Sequence, residues 1–137
     1  MDETKREWVR SWLIKAESDL RSACALASLA EPATDTAVYH CQQAAEKALK
    51  GYLAFRDQPL ERTHDLERLL ELAAQLDDTF APLEVQADIL NPYATAFRYP
   101  HTLGVLFPSV AEAATAIEHA QTIFDFVLNL LPAEARP

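Results

Sequence analysis

The sequence predicts an all-α protein, an antiparallel up-and-down bundle of about five helices. Three observations support this fold class. The chain is rich in Ala and Leu and contains only two Gly. Most of its Pro residues fall between the predicted helices or at their ends, and its apolar residues recur every three or four positions. With 137 residues the chain has the size of one domain, so we expect a single unit over residues 1–137.

The first two predicted helices pair an aromatic stripe with an alanine-rich face. Helix one starts at a capping box whose first residue is Thr4, and it ends before Pro32. Helix two runs from about Thr34 to Phe55 and carries Ala at many of its inward positions. Because small side chains let a neighbouring helix approach closely, we expect Trp8 and Trp12 of helix one to supply the missing bulk.

Three shorter predicted helices follow. Thr63 caps the third helix, and the fourth covers roughly Leu83 to Phe97 with a kink at Pro92, which lacks a backbone donor. Ser109 opens a second capping box before the last helix, which Pro132 ends. This last helix is apolar over much of its circumference, so we expect it to be shared with a second copy in a homodimer.

Composition excludes several classes of protein. The net charge of −9 argues against a general polyanion binder, since such binding depends on many Lys and Arg. The chain shows neither the apolar core of a signal peptide nor the length of a membrane span, so we expect a cytoplasmic protein without membrane contact. Cys24 and Cys41 stand alone in Ala-rich segments, and we expect both to be buried and reduced.

The motifs of familiar cofactor and catalytic sites are missing from the sequence. The four His lack the spacing of zinc ligands, and no Gly-x-Ser-x-Gly elbow occurs. With Gly only at Gly51 and Gly104, neither a P-loop nor a dinucleotide fingerprint can be written. We therefore expect no metal and no cofactor.

Helix two carries a polar strip beside its Ala-rich face. Glu46 and Lys50 stand four residues apart on this strip and can pair. The strip is either a solvated helix face or part of a binding surface. At helical spacing it consists of His40, Gln43, Glu46, Lys47 and Lys50.

Two further places have side chains suited to an anion. Arg62 and His64 flank Thr63 at the turn into helix three, where the helix dipole favours negative charge, although Thr63 could simply be a cap. Arg98 is the only Lys or Arg between Leu69 and Ala135, and it stands beside Tyr99 in a cluster that ends with Pro100-His101. Arg98 could bind a phosphate or form a salt bridge to a helix carboxylate.

Four segments in this order resemble the HEPN family, small helical domains named for nucleotide binding in prokaryotes and higher eukaryotes. The segments are Trp12 to Leu20, His40 to Lys50, Thr63 to Leu66, and Leu90 to Pro100. The resemblance implies a dimerising bundle that is often encoded beside a small nucleotidyltransferase, as a toxin-antitoxin or regulatory pair. It also implies a nucleotide or RNA ligand.

The resemblance implies one cleft surrounded by basic residues. It points to Lys47, Lys50, Arg62, His64 and Arg98, and together with Gln43 and Tyr99 these are our candidate nucleotide-binding residues. Tyr99 is also a counterpart of a tyrosine that the partner transferase modifies in related pairs.

Some HEPN members are metal-independent ribonucleases that use an arginine followed by a histidine at the dimer interface. Arg98 and His101 have two residues between them, fewer than that motif has, and Arg56 and His64 have seven, more than it has. We therefore predict a non-catalytic module that dimerises and binds a nucleotide or a nucleotidyltransferase partner. The alternatives are a ribonuclease that uses Arg98 and His101, and a purely structural dimerisation domain.

Overall fold

The computed structural model describes residues 1–100 and 104–137, and the described part contains α-helices and short 3₁₀ turns but no strand. The predicted all-α bundle of five helices is confirmed. The helices are α1 (Glu3–Ala27), α2 (Thr34–Phe55), α3 (Leu66–Leu76), α4 (Glu84–Leu90) and α5 (Val110–Leu130). The 3₁₀ turns are Asp78–Leu83, Asn91–Ala94 and Ala133–Ala135.

α1 and α2 form a closely packed antiparallel pair. Leu13 near the middle of α1 meets Gly51 near the end of α2, where an added Cβ would lie 2.4 Å from the Leu13 Cδ2 atom. The predicted range of α2 is confirmed, and its inward Ala residues are fully buried. Small side chains along α2 therefore bring the two helix axes close together.

The bulk that fills the core does not come from Trp8. That prediction was wrong, because Trp8 is 50% exposed, and Trp12 is only partly buried at the edge of the core. A regular apolar stripe cannot show which of its edges a neighbour covers. Instead, the fully buried Phe80 packs with its ring centroid 4.5 Å from that of Tyr52 and 4.8 Å from that of Phe126.

The predicted N-cap residue is confirmed for α5, and a different residue caps α1 and α3. Ser109 and Glu112 form the expected capping box at α5. Asp2, rather than Thr4, caps α1 by accepting from the Lys5 N–H at 2.7 Å. Asp65, rather than Thr63, caps α3. In both corrected cases the carboxylate is a stronger acceptor beside the positive helix end than a hydroxyl.

The fourth predicted helix is shorter than expected. α4 stops at Leu90 and a 3₁₀ turn follows, since Pro92 removes a backbone donor and cannot continue the α-helical ladder. Asn91 ties this corner to the start of α3, because its side chain accepts from the Leu66 N–H at 2.8 Å and donates to Asp65 at 3.0 Å. Phe97 then adopts a positive φ of 65° and turns the chain back toward α2.

No helix within the described ranges is both long enough and apolar enough to serve as a membrane span.

Candidate functional site

Asp19 of α1 organises one half of the polar strip on α2. Its carboxylate accepts from the Lys47 Nζ atom at 2.7 Å and bonds the His40 Nδ1 atom at 2.7 Å. Asp19 is only 8% exposed, so this carboxylate lies in a low-dielectric environment where both partners compensate its burial.

Glu46 organises the other half in the same way. One of its carboxylate oxygens bonds the His64 Nδ1 atom at 2.7 Å, and the other accepts from the Lys50 Nζ atom at 3.2 Å. The predicted pair of Glu46 and Lys50 is confirmed, but it is buried rather than solvated, since the two residues are 4% and 8% exposed. Lys50 also lies 5.8 Å from the centroid of the Trp12 ring.

Two glutamines connect the polar strip to the turn before α3. Gln42 is fully buried and donates to the backbone carbonyl of His64 at 2.9 Å. Gln43 donates to the Gln42 side chain at 2.7 Å. The turn that carries His64 is therefore held by its backbone through Gln42 and by its imidazole through Glu46.

The interpretation of the strip from sequence missed Asp19 and Gln42. Asp19 lies between Ala16 and Leu20 on the apolar stripe of α1, and a carboxylate at an inward position is a signal that it has buried partners. Gln42 precedes Gln43 and belongs to the adjacent face of α2, at a spacing of four residues from Glu46.

Arg98 lies over an aromatic ring rather than against a carboxylate. Its guanidinium carbon is 4.4 Å from the ring centroid of Tyr39 in α2 and 5.8 Å from that of Tyr99. It makes no salt bridge within residues 1–100 and 104–137, and its Nη1 atom is 3.4 Å from the Ala94 carbonyl. Stacking leaves the edge of the guanidinium available for an acceptor.

A small groove of about 190 Å³ opens beside the stacked guanidinium. Its lining consists of Asp35, Thr36, Tyr39, Phe97 and Arg98. Tyr39 precedes Gln43 by one helical turn, so the two residues share a face of α2, but the lining of the groove ends at Tyr39 and does not include Gln43 or Lys47.

The structure brings three of the predicted site residues together. Gln43, Lys50 and His64 belong to one hydrogen-bonded network, whereas Lys47 is held by Asp19 and Arg98 lies against Tyr39, and none of the described grooves is lined by all the predicted cations. The remaining candidates lie apart from the network or outside the description. Tyr99 is 70% exposed, Arg62 is exposed with no ion pair in the described part of the chain, and His101 lies outside the described residues.

The two cysteines differ in their surroundings. Cys41 is buried, and burial raises the pKa of its thiol to about 12. Cys24 is exposed, so the prediction that both thiols are buried was wrong for this residue. Neither cysteine belongs to a group of three or more metal-binding side chains, and no such group occurs in the residues that the structure describes.

Comparison with protein families gives a match over nearly the whole chain. The model of the HEPN domain matches residues 9–130. The chain belongs to the HEPN family. All the candidate residues named above lie within this matched range, so the polar strip, the His64 turn and the Arg98 corner are parts of the HEPN domain itself.

Two solved structures share the fold of this HEPN chain. TT1696 from Thermus thermophilus is 33% identical with a TM-score of 0.74, and the match covers 90% of this chain and 98% of that one. ST0689, an archaeal HEPN homologue, is 28% identical with a TM-score of 0.72, and the match covers 89% of this chain and 96% of that one. No curated protein matches the chain.

Proposed function

We propose that this HEPN domain is a non-catalytic module that dimerises and binds a nucleotide at the Arg98 corner, in partnership with a nucleotidyltransferase. The position of Arg98, whose guanidinium carbon is 4.4 Å from the ring centroid of Tyr39 and 5.8 Å from that of Tyr99, carries this proposal. A guanidinium held by aromatic faces keeps its planar fork oriented for a phosphate, and the exposed Tyr99 ring offers a face on which a base can stack.

The other candidate cations are less suited to be the main phosphate contact. Lys47 is paired with Asp19 and Lys50 with Glu46, and a phosphate that bound either ammonium would compete with a carboxylate already in contact. Lys50 is also buried, so a ligand could reach it only after displacing part of the bundle. We therefore assign the phosphate contact to Arg98 and a supporting polar contact to Gln43, and leave Lys47 paired with Asp19.

The size of the groove connects nucleotide binding with dimerisation. The groove has a volume of about 190 Å³. A pocket that encloses a small-molecule ligand usually measures about 300–1,000 Å³, so this groove is too small to enclose a whole nucleotide. The groove has room for a phosphate beside Arg98, although the Asp35 carboxylate also lines it, and the rest of a nucleotide needs a second wall. A second copy could supply this wall. The Pro108 carbonyl accepts from the Thr34 hydroxyl, which brings the segment before α5 to the start of α2, and exposed apolar side chains in this segment and at the first residue of α5 favour such an association. They are Val105, Leu106, Phe107 and Val110.

Calorimetric titration with a panel of nucleoside mono-, di- and triphosphates tests the binding step. We expect one class of nucleotide to bind the wild-type protein, and Arg98→Ala to weaken this binding about ten- to a hundred-fold, since a hydrogen bond to a charged group contributes about 1.5–3 kcal/mol. Arg98→Lys should bind with intermediate affinity because an ammonium keeps the charge but loses the fork.

Arg10→Ala is a matched control that removes the same charge from an exposed position. Arg10 precedes Leu13, which packs on Gly51, so it lies near the opposite end of α2 from Tyr39. The proposal fails if no nucleotide binds, or if Arg98→Ala and Arg10→Ala bind as tightly as the wild type.

The partnership is tested separately, by co-expressing the chain with a minimal nucleotidyltransferase and measuring the intact mass. We propose that the exposed Tyr99 hydroxyl accepts a nucleotidyl group from such a partner, and a matching mass increase that Tyr99→Phe removes is the expected result. An unchanged mass in the wild-type chain would contradict the partnership at this residue.

A further inference from the structure

His64 has a geometry that the nucleotide-binding proposal does not use. Its side chain is 73% exposed, yet its Nδ1 atom is held at 2.7 Å by Glu46, whose side chain is only 5% exposed. The ring is thus fixed at one nitrogen and open to solvent at the other. We infer that the Nε2 atom of His64 is a phosphoryl acceptor, a modification site for donors that carry a phosphoryl group on a good leaving group.

The protonation of the ring follows from its partner. A carboxylate only accepts hydrogen bonds, so the Nδ1 atom of His64 carries the proton and donates it to Glu46. In the neutral ring the lone pair therefore lies on Nε2. A carboxylate bonded to the opposite N–H also fixes the tautomer and the orientation of the ring, as it does for histidines that bind metals.

The transfer step balances without any additional group. The Nε2 lone pair forms the N–P bond, the bond between phosphorus and the leaving group breaks, and its electron pair departs with that group. From a nucleoside triphosphate the leaving group is the nucleoside diphosphate. From phosphoramidate, whose nitrogen is already protonated in the zwitterion, the leaving group is ammonia. Nδ1 keeps its proton, and the positive charge that develops on the ring faces the Glu46 carboxylate.

The position of His64 favours an acceptor over a proton-transfer catalyst. His64 lines none of four surface grooves found among the described residues, and a proton-transfer catalyst works on a substrate held beside it. The neighbouring Thr63 hydroxyl already accepts from the Asp65 N–H at 3.1 Å. An exposed acceptor needs no pocket, because the donor or the active site of another protein can dock on it.

His40 provides an internal comparison. Its Nδ1 atom is also held by a carboxylate and that carboxylate also binds a lysine, but its side chain is only 28% exposed. The two histidines therefore share the same electronic arrangement and differ in access. Because a phosphorus centre must reach Nε2 in line with its leaving group, we expect His64 to react before His40.

Incubation of the full chain with potassium phosphoramidate tests the inference without a partner enzyme. Phosphorylation is followed over time by peptide mass spectrometry under alkaline conditions, and the isomer is identified by phosphorus NMR. We expect phosphate on the Nε2 atom of His64, appearing faster than at His40 or His119. Phosphate on Nδ1 of His64, or equal rates at His64 and His119, would overturn the inference.

Two variants separate the effect of the carboxylate from simple exposure. Glu46→Gln should slow phosphorylation of His64 about ten-fold, as expected when a carboxylate partner of a histidine is removed, and leave His40 unchanged. Asp19→Asn should leave His64 unchanged. If Glu46→Gln unfolds, as judged by circular dichroism, the inference is tested in the wild type alone, by which histidine is phosphorylated first and at which ring nitrogen. Loss of nucleotide binding in Arg98→Ala does not bear on this outcome.

Discussion

Gly51→Ala tests how closely α1 and α2 pack. An added Cβ at position 51 would lie 2.4 Å from the Leu13 Cδ2 atom and 3.2 Å from the Trp12 Cβ atom. Leu13 is fully buried, so its methyl group cannot move away into solvent. The substitution therefore combines a favourable local effect with an unfavourable contact between the helices.

The two effects have opposite signs and known sizes. Replacing Gly by Ala inside a helix is worth about 1 kcal/mol of stability, whereas an extra methyl group in a packed core costs about 1–3 kcal/mol. We expect a net loss of about 1 kcal/mol in the free energy of unfolding. Leu13→Ala should itself cost about 2–5 kcal/mol, but in that background Gly51→Ala should become stabilising by up to about 1 kcal/mol, because the nearest methyl is gone.

Urea unfolding of the wild type, both single variants and the double variant gives the coupling energy between the two positions. Ser11→Ala, at an exposed position of α1, controls for the effect of a new Ala in a helix. If Gly51→Ala stabilised the wild-type protein as much as it stabilises the Leu13→Ala variant, the close approach of the two helices would be refuted.

Further predictions concern the buried polar groups. Glu46→Ala should cost about 3–5 kcal/mol in urea unfolding because it leaves Lys50 buried without its carboxylate, and the double variant Glu46→Met with Lys50→Met should be far milder; equal losses would contradict this. Iodoacetamide at pH 8 should label Cys24 and spare Cys41 until the chain unfolds, as mass spectrometry of the labelled sites would show. Because burial raises the pKa of Cys41 from 9.0 to about 12, the unfolded state loses this proton first, and stability should fall as pH rises from about 9 toward 12. The difference between wild type and Cys41→Ala isolates this contribution, and an identical pH dependence in the two proteins would argue against it.

The helices with strong boundary signals were predictable from the sequence. The range of α2 was predicted correctly because Pro32 precedes it and Pro59 follows the turn at its end. The fourth helix was predicted too long, since the sequence does not show whether Pro92 bends a helix or ends it. In the structure the helix ends, and the Asn91 side chain holds this corner to the start of α3 by bonds that span 25 and 26 residues of chain.

The candidate site was predictable only where its contacts are local. Glu46 and Lys50 are neighbours on one helix, and periodicity was enough to pair them. Asp19 reaches His40 and Lys47 across 21 and 28 residues, a distance that helical periodicity does not encode. Lys47 and Lys50, both expected to meet a ligand, are each paired with a buried carboxylate, and for this reason the proposed function gives the phosphate contact to Arg98.

The side chain of Asn91 lies between the two sites proposed above, the Arg98 groove and His64. It fastens the segment leading to Arg98 onto Leu66 and Asp65, immediately after the turn that presents His64. Asn91 therefore connects the end of α4, seven residues before Arg98, with the residues that directly follow His64. If phosphorylation of His64 changed the affinity of Arg98 for an anion by some factor, thermodynamic linkage requires that anion binding change the equilibrium of phosphorylation by the same factor. Such a coupling would pass through the side-chain amide of Asn91.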